Sequence, residues 1–222
     1  MPKFSILEVR HPKESLTGAP IALLCQRDDE TRGTVSIIRL RVIAIRPNRH
    51  SGRDMATRFA ASYDSQTGRM SLSSENPNDG TGAVFIDPER LRGLRIGSYL
   101  MSEIVAWARQ WPDAKVNHIR LVELQATADN IERRAKFYAY LGVRFSAGDE
   151  PVTASQLTHS ANWKKNITVT TLDDFLTDQI TVRRELDECR RTVEMLRAEL
   201  KDKPVPSLLR RAWWSIFGRN VK

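Results

Sequence analysis

The chain has few cysteines and histidines, fewer acids than bases, and no long apolar run. Its 222 residues hold two cysteines, Cys25 and Cys189, and four scattered histidines. Two thiols make no disulfide framework, and the sequence therefore predicts a protein of a reducing, cytoplasmic compartment. Histidines without Cys or His at ligand spacing leave no metal site to propose. No apolar run approaches the ~20 residues of a membrane-spanning helix, and Met1-Pro2-Lys3 opens no secretion signal. Acids number 27 against 35 Lys and Arg, for a net charge of +8. The excess is diffuse, with 22 basic against 18 acidic residues up to Glu150 and 13 against 9 beyond it. A bias this even reads as solubility rather than as a nucleic-acid footprint.

What is present is globular. With 41% apolar and 28% charged residues, the chain can bury one sizeable core and carry an appendage. The first eighty residues read mostly as strands. Phe4 to Val9 and Pro20 to Gln26 are short apolar runs. Val35 to Arg46 alternates, with Ile38, Leu40, Val42 and Ala44 on one face and the basic Arg39 and Arg41 on the other. Met55, Thr57, Phe59, Ala61 and Tyr63 alternate again, and turn residues Asp64 to Gly68 lead into Arg69 to Ser73. A loop follows at Asn76 to Gly80.

The most informative stretch runs from Val84 to Leu100. Apolar Val84-Phe85-Ile86 stops at Asp87-Pro88, passes through Arg92-Gly93-Leu94-Arg95-Ile96-Gly97-Ser98, and enters an amphipathic helix. That helix is predicted over Ser98 to Trp111, with Ser98 as N-cap and Leu100, Met101, Ile104, Val105, Ala108 and Trp111 as its apolar stripe. Strand, glycine loop and helix N-terminus together suit a pyrophosphate: backbone N–H groups converge and the helix end adds roughly half a positive charge. Arg92 and Arg95 would add charge-assisted bonds. The spacing fits neither the Walker loop nor the Rossmann fingerprint.

This loop resembles motif A of the GNAT superfamily of acetyl-coenzyme A-dependent N-acetyltransferases, written Gln/Arg-x-x-Gly-x-Gly/Ala. An apolar strand follows at His118 to Ala126, and then Asn130 opens a helix ending Phe137-Tyr138-Ala139-Tyr140-Leu141-Gly142-Val143, which resembles that superfamily's motif B. The resemblance spans about residues 81 to 146. It departs from the usual pattern at Arg95, which stands at a common Gly position, and in an Asn130-to-Tyr138 spacing one residue longer than most. The superfamily places two helices after its first strand; the nine residues Arg46 to Asp54 between the two best strands are too few for that pair.

The resemblance implies an α/β, GNAT-like mixed central sheet flanked by helices, with acetyl-coenzyme A as co-substrate and no metal. It implies that Phe85 and Ile86 bind the pantetheine arm and that Arg92, Gly93, Leu94, Arg95, Ile96, Gly97 and Ser98 cradle the pyrophosphate. Asn130, Arg134 and Phe137 would also contact the coenzyme, with Tyr138 protonating the departing thiolate and Glu123 on the intervening strand taking the amine proton. Tyr138 equally suits a core tyrosine, and Glu123 a solvated carboxylate. The acceptor amine, on a protein, a small molecule or a nucleic acid, is not specified by any residue pattern.

Beyond about Asp149 the composition changes. A short strand is predicted at Asn166 to Thr170, and then a heptad pattern begins. Leu172, Gln179, Leu186, Val193 and Leu200 share one seam position, and Phe175, Val182, Cys189 and Leu196 the other, with mixed charges on the flanks. This predicts a coiled-coil helix over 172–203 that pairs two chains in parallel, Gln179 fixing register and Cys189 facing its copy; the alternative is a helix folded back on its own domain. Domain boundaries are thus expected at 1–171, 172–203 and 204–222. Pro204-Val205-Pro206 ends the helix, and Ser207 to Gly218 is apolar, aromatic and basic with no acid. That tail reads as a peripheral membrane contact through 207–219, as a segment packed on its own or a partner's surface, or as a nucleic-acid arm. Two functions stand open: an N-acetyltransferase, and a non-catalytic GNAT-fold interaction or nucleic-acid-associated protein working through coiled coil and tail.

Overall fold

The computed structural model describes residues 2–10, 20–45, 56–79, 91, 93–119, 136–143 and 150–202. The strands are β1 (Lys3–Val9), β2 (Ile21–Arg32), β3 (Val35–Ala44), β4 (Ala56–Asp64), β5 (Arg69–Ser71), β6 (Lys115–Val116), β7 (Val152–Thr153) and β8 (Ile167–Thr171). The helices are α1 (Ile96–Ala108), α2 (136–140) and α3 (Leu172–Asp202). The chain divides into two compact units, Met1–Leu172 and Asp173–Lys222.

In the first unit the described strands form one sheet in the order β7-β6-β5-β4-β3-β2-β1-β8. Neighbours are antiparallel except β5 and β6, which run parallel. A parallel pair requires a crossover, and α1 lies in that connection. The mixed α/β class is therefore present, in a sheet that is mostly antiparallel.

The meander β1 to β5 follows from alternation and turn chemistry. Ile38, Leu40 and Val42 of β3 and Thr57, Phe59 and Ala61 of β4 are buried, as their period of two requires. β2 continues to Arg32, well past its apolar run, because its polar half pairs with β3: Arg39 bonds Glu30 at 2.5 Å and lies 3.6 Å from Asp28. At the β4–β5 turn the Asp64 carboxylate accepts the Gln66 N–H at 3.0 Å and the Thr67 hydroxyl at 2.8 Å, which holds its carboxyl below the usual aspartate range. Gly68, at φ 65°, completes that turn by donating to the Asp64 carbonyl at 2.9 Å.

One core joins the sheet to α1. Leu7, Leu23, Ile38, Leu40, Phe59 and Met70 pack with Ile96, Leu100, Met101, Ile104 and Val105. Cys25, on the same face, is buried, and that burial together with Glu103 pushes its thiol pKa up to about 11. Glu103 also pairs with Arg27 at 3.2 Å, tying α1 to β2. At the end of α1, Trp111 stacks on Tyr63 with ring centroids 4.5 Å apart and meets Trp107 edge-on at 4.9 Å.

α1 differs from expectation at both ends. It starts at Ile96 with Arg95 in the cap position, so Ser98 lies inside the first turn, and it ends at Ala108 rather than Trp111. The strand after it is β6 at Lys115–Val116; Asn117, His118 and Ile119 are not in a strand, and 120–126 lie outside the described residues. Two short 3-10 helices follow β7, Ala154–Gln156, which Thr153 and Gln156 close as a capping box, and Asn162–Lys165.

α3, taken by itself, is a 31-residue helix. Asp173 and Asp174 in its first turn and Lys201 in its last complement the helix dipole. Along its seam Val182 is 57% exposed, Leu186 45%, Val193 46% and Leu196 53%. The tail 204–222 lies outside the described residues. No helix among the described residues is long and apolar enough to cross a membrane.

Candidate functional site

The loop before α1 holds two residues with positive φ. Gly93 is at φ 84° and Arg95 at φ 65°, ψ 14°, both left-handed. The first helical bond comes from the Tyr99 N–H to the Arg95 carbonyl at 3.0 Å. Ile96, Gly97 and Ser98 thus occupy the first turn, where N–H groups have no partner within the helix. Among the described residues no side chain caps this end, and its first turn holds no acidic residue. Among the described residues, therefore, no carboxylate or cap offsets the positive end of the dipole.

Arg95 is the one non-glycine residue with positive φ among those described. Position 95 takes the conformation that glycine adopts without cost and that an L side chain resists. Its guanidinium donates to the Asn162 carbonyl at 2.8 Å, using one of five donors. Leu94 and Ile96, beside it, are buried and anchor the loop in the core.

The turn carrying Asn162 stands out by no sequence motif. Trp163 meets Tyr99 edge-on at 5.0 Å, and the Lys164 ammonium sits 5.6 Å from the Trp163 ring centre. Lys164 and Lys165 thereby stand on the same short turn that holds Arg95. The Trp-Lys-Lys triplet at the end of a polar stretch is the available signal, and pairing it with residue 95 requires the fold.

α2 ends as its sequence predicts. Gly142, at φ 80°, donates to the Ala139 carbonyl at 3.0 Å, and Val143 donates to the Tyr138 carbonyl at 3.1 Å, a Schellman closure. Thr158 then satisfies the exposed carbonyl ends, its N–H donating to Leu141 at 3.1 Å and its hydroxyl to Tyr140 at 2.5 Å. Within this helix Tyr138 is 1% exposed and is packed into the core, with the half-buried Phe137 edge-on to it at 5.3 Å. Val143 also borders a small groove, completed by Val116, Asn117, His118 and Val152, at the end of β6.

Of the residues that the resemblance implicates, Gly93, Leu94, Arg95, Ile96, Gly97 and Ser98 form one continuous loop and first turn. Phe137 and Tyr138 lie on α2. Phe85, Ile86, Arg92, Glu123, Asn130 and Arg134 lie outside the described residues. The basic strand β3 is less available than its sequence implies: Arg39 is held by Glu30 at 2.5 Å and Glu75 at 2.7 Å, and it keeps the Glu75 carboxyl below the usual range. No cluster of His, Cys, Asp or Glu suited to a metal ion occurs among the described residues.

No protein-family description, no curated protein and no solved structure matches this chain.

Proposed function

We propose that the Met1–Leu172 unit is a GNAT-type N-acetyltransferase that moves an acetyl group from acetyl-coenzyme A to an acceptor amine by direct attack. The observation that carries this reading is the entry to α1: left-handed backbone at Gly93 and Arg95, leading into a helix end that no described side chain caps and whose first turn has no acid. Such an end attracts a pyrophosphate through its N–H groups and dipole. The parallel β5–β6 pair with α1 in its connection supports the same reading, because ligands of α/β sheets gather at the carboxyl ends of parallel strands.

In this proposal the N–H groups of Ile96, Gly97 and Ser98, with Arg92 and Arg95, hold the pyrophosphate. Phe85 and Ile86 hold the pantetheine arm, and Asn130, Arg134 and Phe137 complete the coenzyme contacts. The acceptor nitrogen attacks the thioester carbonyl; the C–N bond forms as the C–S bond breaks. Glu123 takes the proton released by the amine, and Tyr138 delivers one to the thiolate sulfur. A cytoplasmic location, with peripheral membrane contact through 207–219, belongs to the same proposal.

Two observations favour a second reading, a non-catalytic interaction or nucleic-acid-associated protein acting through α3 and the tail. Tyr138 is 1% exposed, and Arg95 is engaged by Asn162. Titration calorimetry with acetyl-coenzyme A separates the two. The enzyme reading expects saturable heat from the wild-type chain, abolished by Gly97→Glu and weakened roughly tenfold or more by Arg92→Ala, the loss of one charge-assisted bond. It also expects Tyr138→Phe to retain binding while losing turnover. A folded wild-type chain that gives no heat with acetyl-coenzyme A or coenzyme A leaves the second reading standing.

A further inference from the structure

α3 carries two rows of charge that heptad position sorts by sign. With Leu172 at position a and Phe175 at d, the e row contains Arg183, Arg190 and Arg197, and the g row contains Asp178, Glu185 and Glu199. The exceptions are uncharged: Leu176 in the e row and Thr192 in the g row. Sorting of this kind has no use in a lone helix. There Arg183 and Arg190 turn instead to Asp187 on the outer face, at 3.5 and 4.0 Å, in exposed pairs that add little stability.

We infer that α3 is the interface of a parallel, in-register homodimer, with orientation set by the opposed e and g charges. In a parallel pair each g residue meets the partner residue five positions later. Asp178 then faces Arg183 and Glu185 faces Arg190, and symmetry repeats both pairs on the other flank. Antiparallel packing sets g against g and e against e, which lines up acids on one flank and arginines on the other. Gln179 discriminates in the same sense. In register it meets its own copy, and two amides satisfy each other, whereas in an antiparallel pair it lies opposite an apolar layer with its hydrogen bonds unmade. The exposed seam supplies the driving force, since a helix with half-exposed Val182, Leu186, Val193 and Leu196 gains by covering them. This inference does not depend on acetyl transfer.

The test uses the full chain. Light scattering at tens of micromolar is expected to give the mass of two chains. Mild oxidation is expected to join the chains through Cys189, because Cys25 is buried with its thiol pKa pushed up to about 11 and stays unreactive near neutral pH. Orientation is read in a Cys189→Ser background carrying either Val182→Cys or Leu196→Cys. In a parallel register both single-cysteine chains cross-link to themselves. In an antiparallel pair centred between these sites, like residues stand about 20 Å apart and do not cross-link. Arg183→Glu with Arg190→Glu is expected to weaken the dimer roughly ten- to hundredfold, and mixing with an Asp178→Lys, Glu185→Lys chain to restore a mixed dimer. A monomeric or trimeric mass for the wild type overturns the inference. So does a dimer whose single-cysteine chains fail to cross-link, or one indifferent to the charge reversal.

Discussion

At Arg95 the backbone and the side chain make opposite demands. The left-handed φ of 65° penalises any Cβ, while the guanidinium gains a 2.8 Å bond to the Asn162 carbonyl. Two substitutions separate these terms. Arg95→Ala and Arg95→Gly both lose the Asn162 bond, but only alanine keeps the conformational penalty. The glycine variant is therefore expected to be the more stable by about 1 kcal/mol, measured by urea unfolding. Equal stabilities would mean that the loop relaxes away from the left-handed region when the arginine leaves. The comparison also bears on the site. Strain kept in a loop at a helix entry, rather than removed by glycine, is the kind of outlier from which a functional role is argued. At this scale the sequence is informative about backbone: the usual glycine of the resembling motif marks position 95, and the structure gives that position glycine's conformation. It is silent about Asn162, since residues 67 apart meet only through the packing of a polar turn on α1.

Among the elements, the end of α2 is the most over-determined. Gly142 has φ 80°, and a Cβ there would stand 3.3 Å from the Gln156 carbonyl oxygen, a backbone atom with little freedom to move. Gly68 has a comparable φ of 65°, but no described atom lies within 4 Å of where its Cβ would stand. Gly68→Ala is accordingly expected to cost about 1 kcal/mol, and Gly142→Ala about 2–3 kcal/mol because steric crowding adds to strain. Melting temperatures should fall by about 2–4 °C for each kcal/mol, so thermal scans of the two variants resolve the difference. Equal losses would show that the 154–158 turn gives way. Gly142 is legible because Leu-Gly after a helical pattern names a cap. The start of α1 is not: Ser98 offers good capping chemistry, but burial of Leu94 and Ile96 pulls the cap three residues earlier, to Arg95. β2 likewise outruns its apolar run, since Asp28 and Glu30 are held in the ladder by Arg39 on the neighbouring strand. Period-two alternation reads hydrophobic burial and is blind to such cross-strand charge pairs.

On the scale of the whole molecule, β1 is paired on both sides, with β2 next in sequence and β8 from far along the chain. The register sets Ile6 opposite Thr170 and Val9 opposite Ile167, so the sheet closes a loop of nearly the entire first unit. The meander of β2, β3 and β4 needs no search on that scale, because two residues join β2 to β3 and eleven join β3 to β4. This division makes the fold asymmetric in time. A growing or refolding chain can assemble the meander and α1 early, but β1 keeps one open edge until residues 167–171 arrive and pay the closure entropy. Ile167→Ala, which removes a buried side chain of β8, is expected to speed unfolding while leaving the refolding rate nearly unchanged. Ile38→Val in β3 should do the reverse and slow refolding, with stopped-flow kinetics in urea reading both; a slowed refolding limb for Ile167→Ala would place β8 in the nucleus instead. On the ribosome the same order leaves an apolar strand waiting, exposed along one side, for the last piece of its sheet. The residues that end the wait are followed at once by α3, so the chain finishes its sheet edge just as the seam of its longest helix begins to emerge.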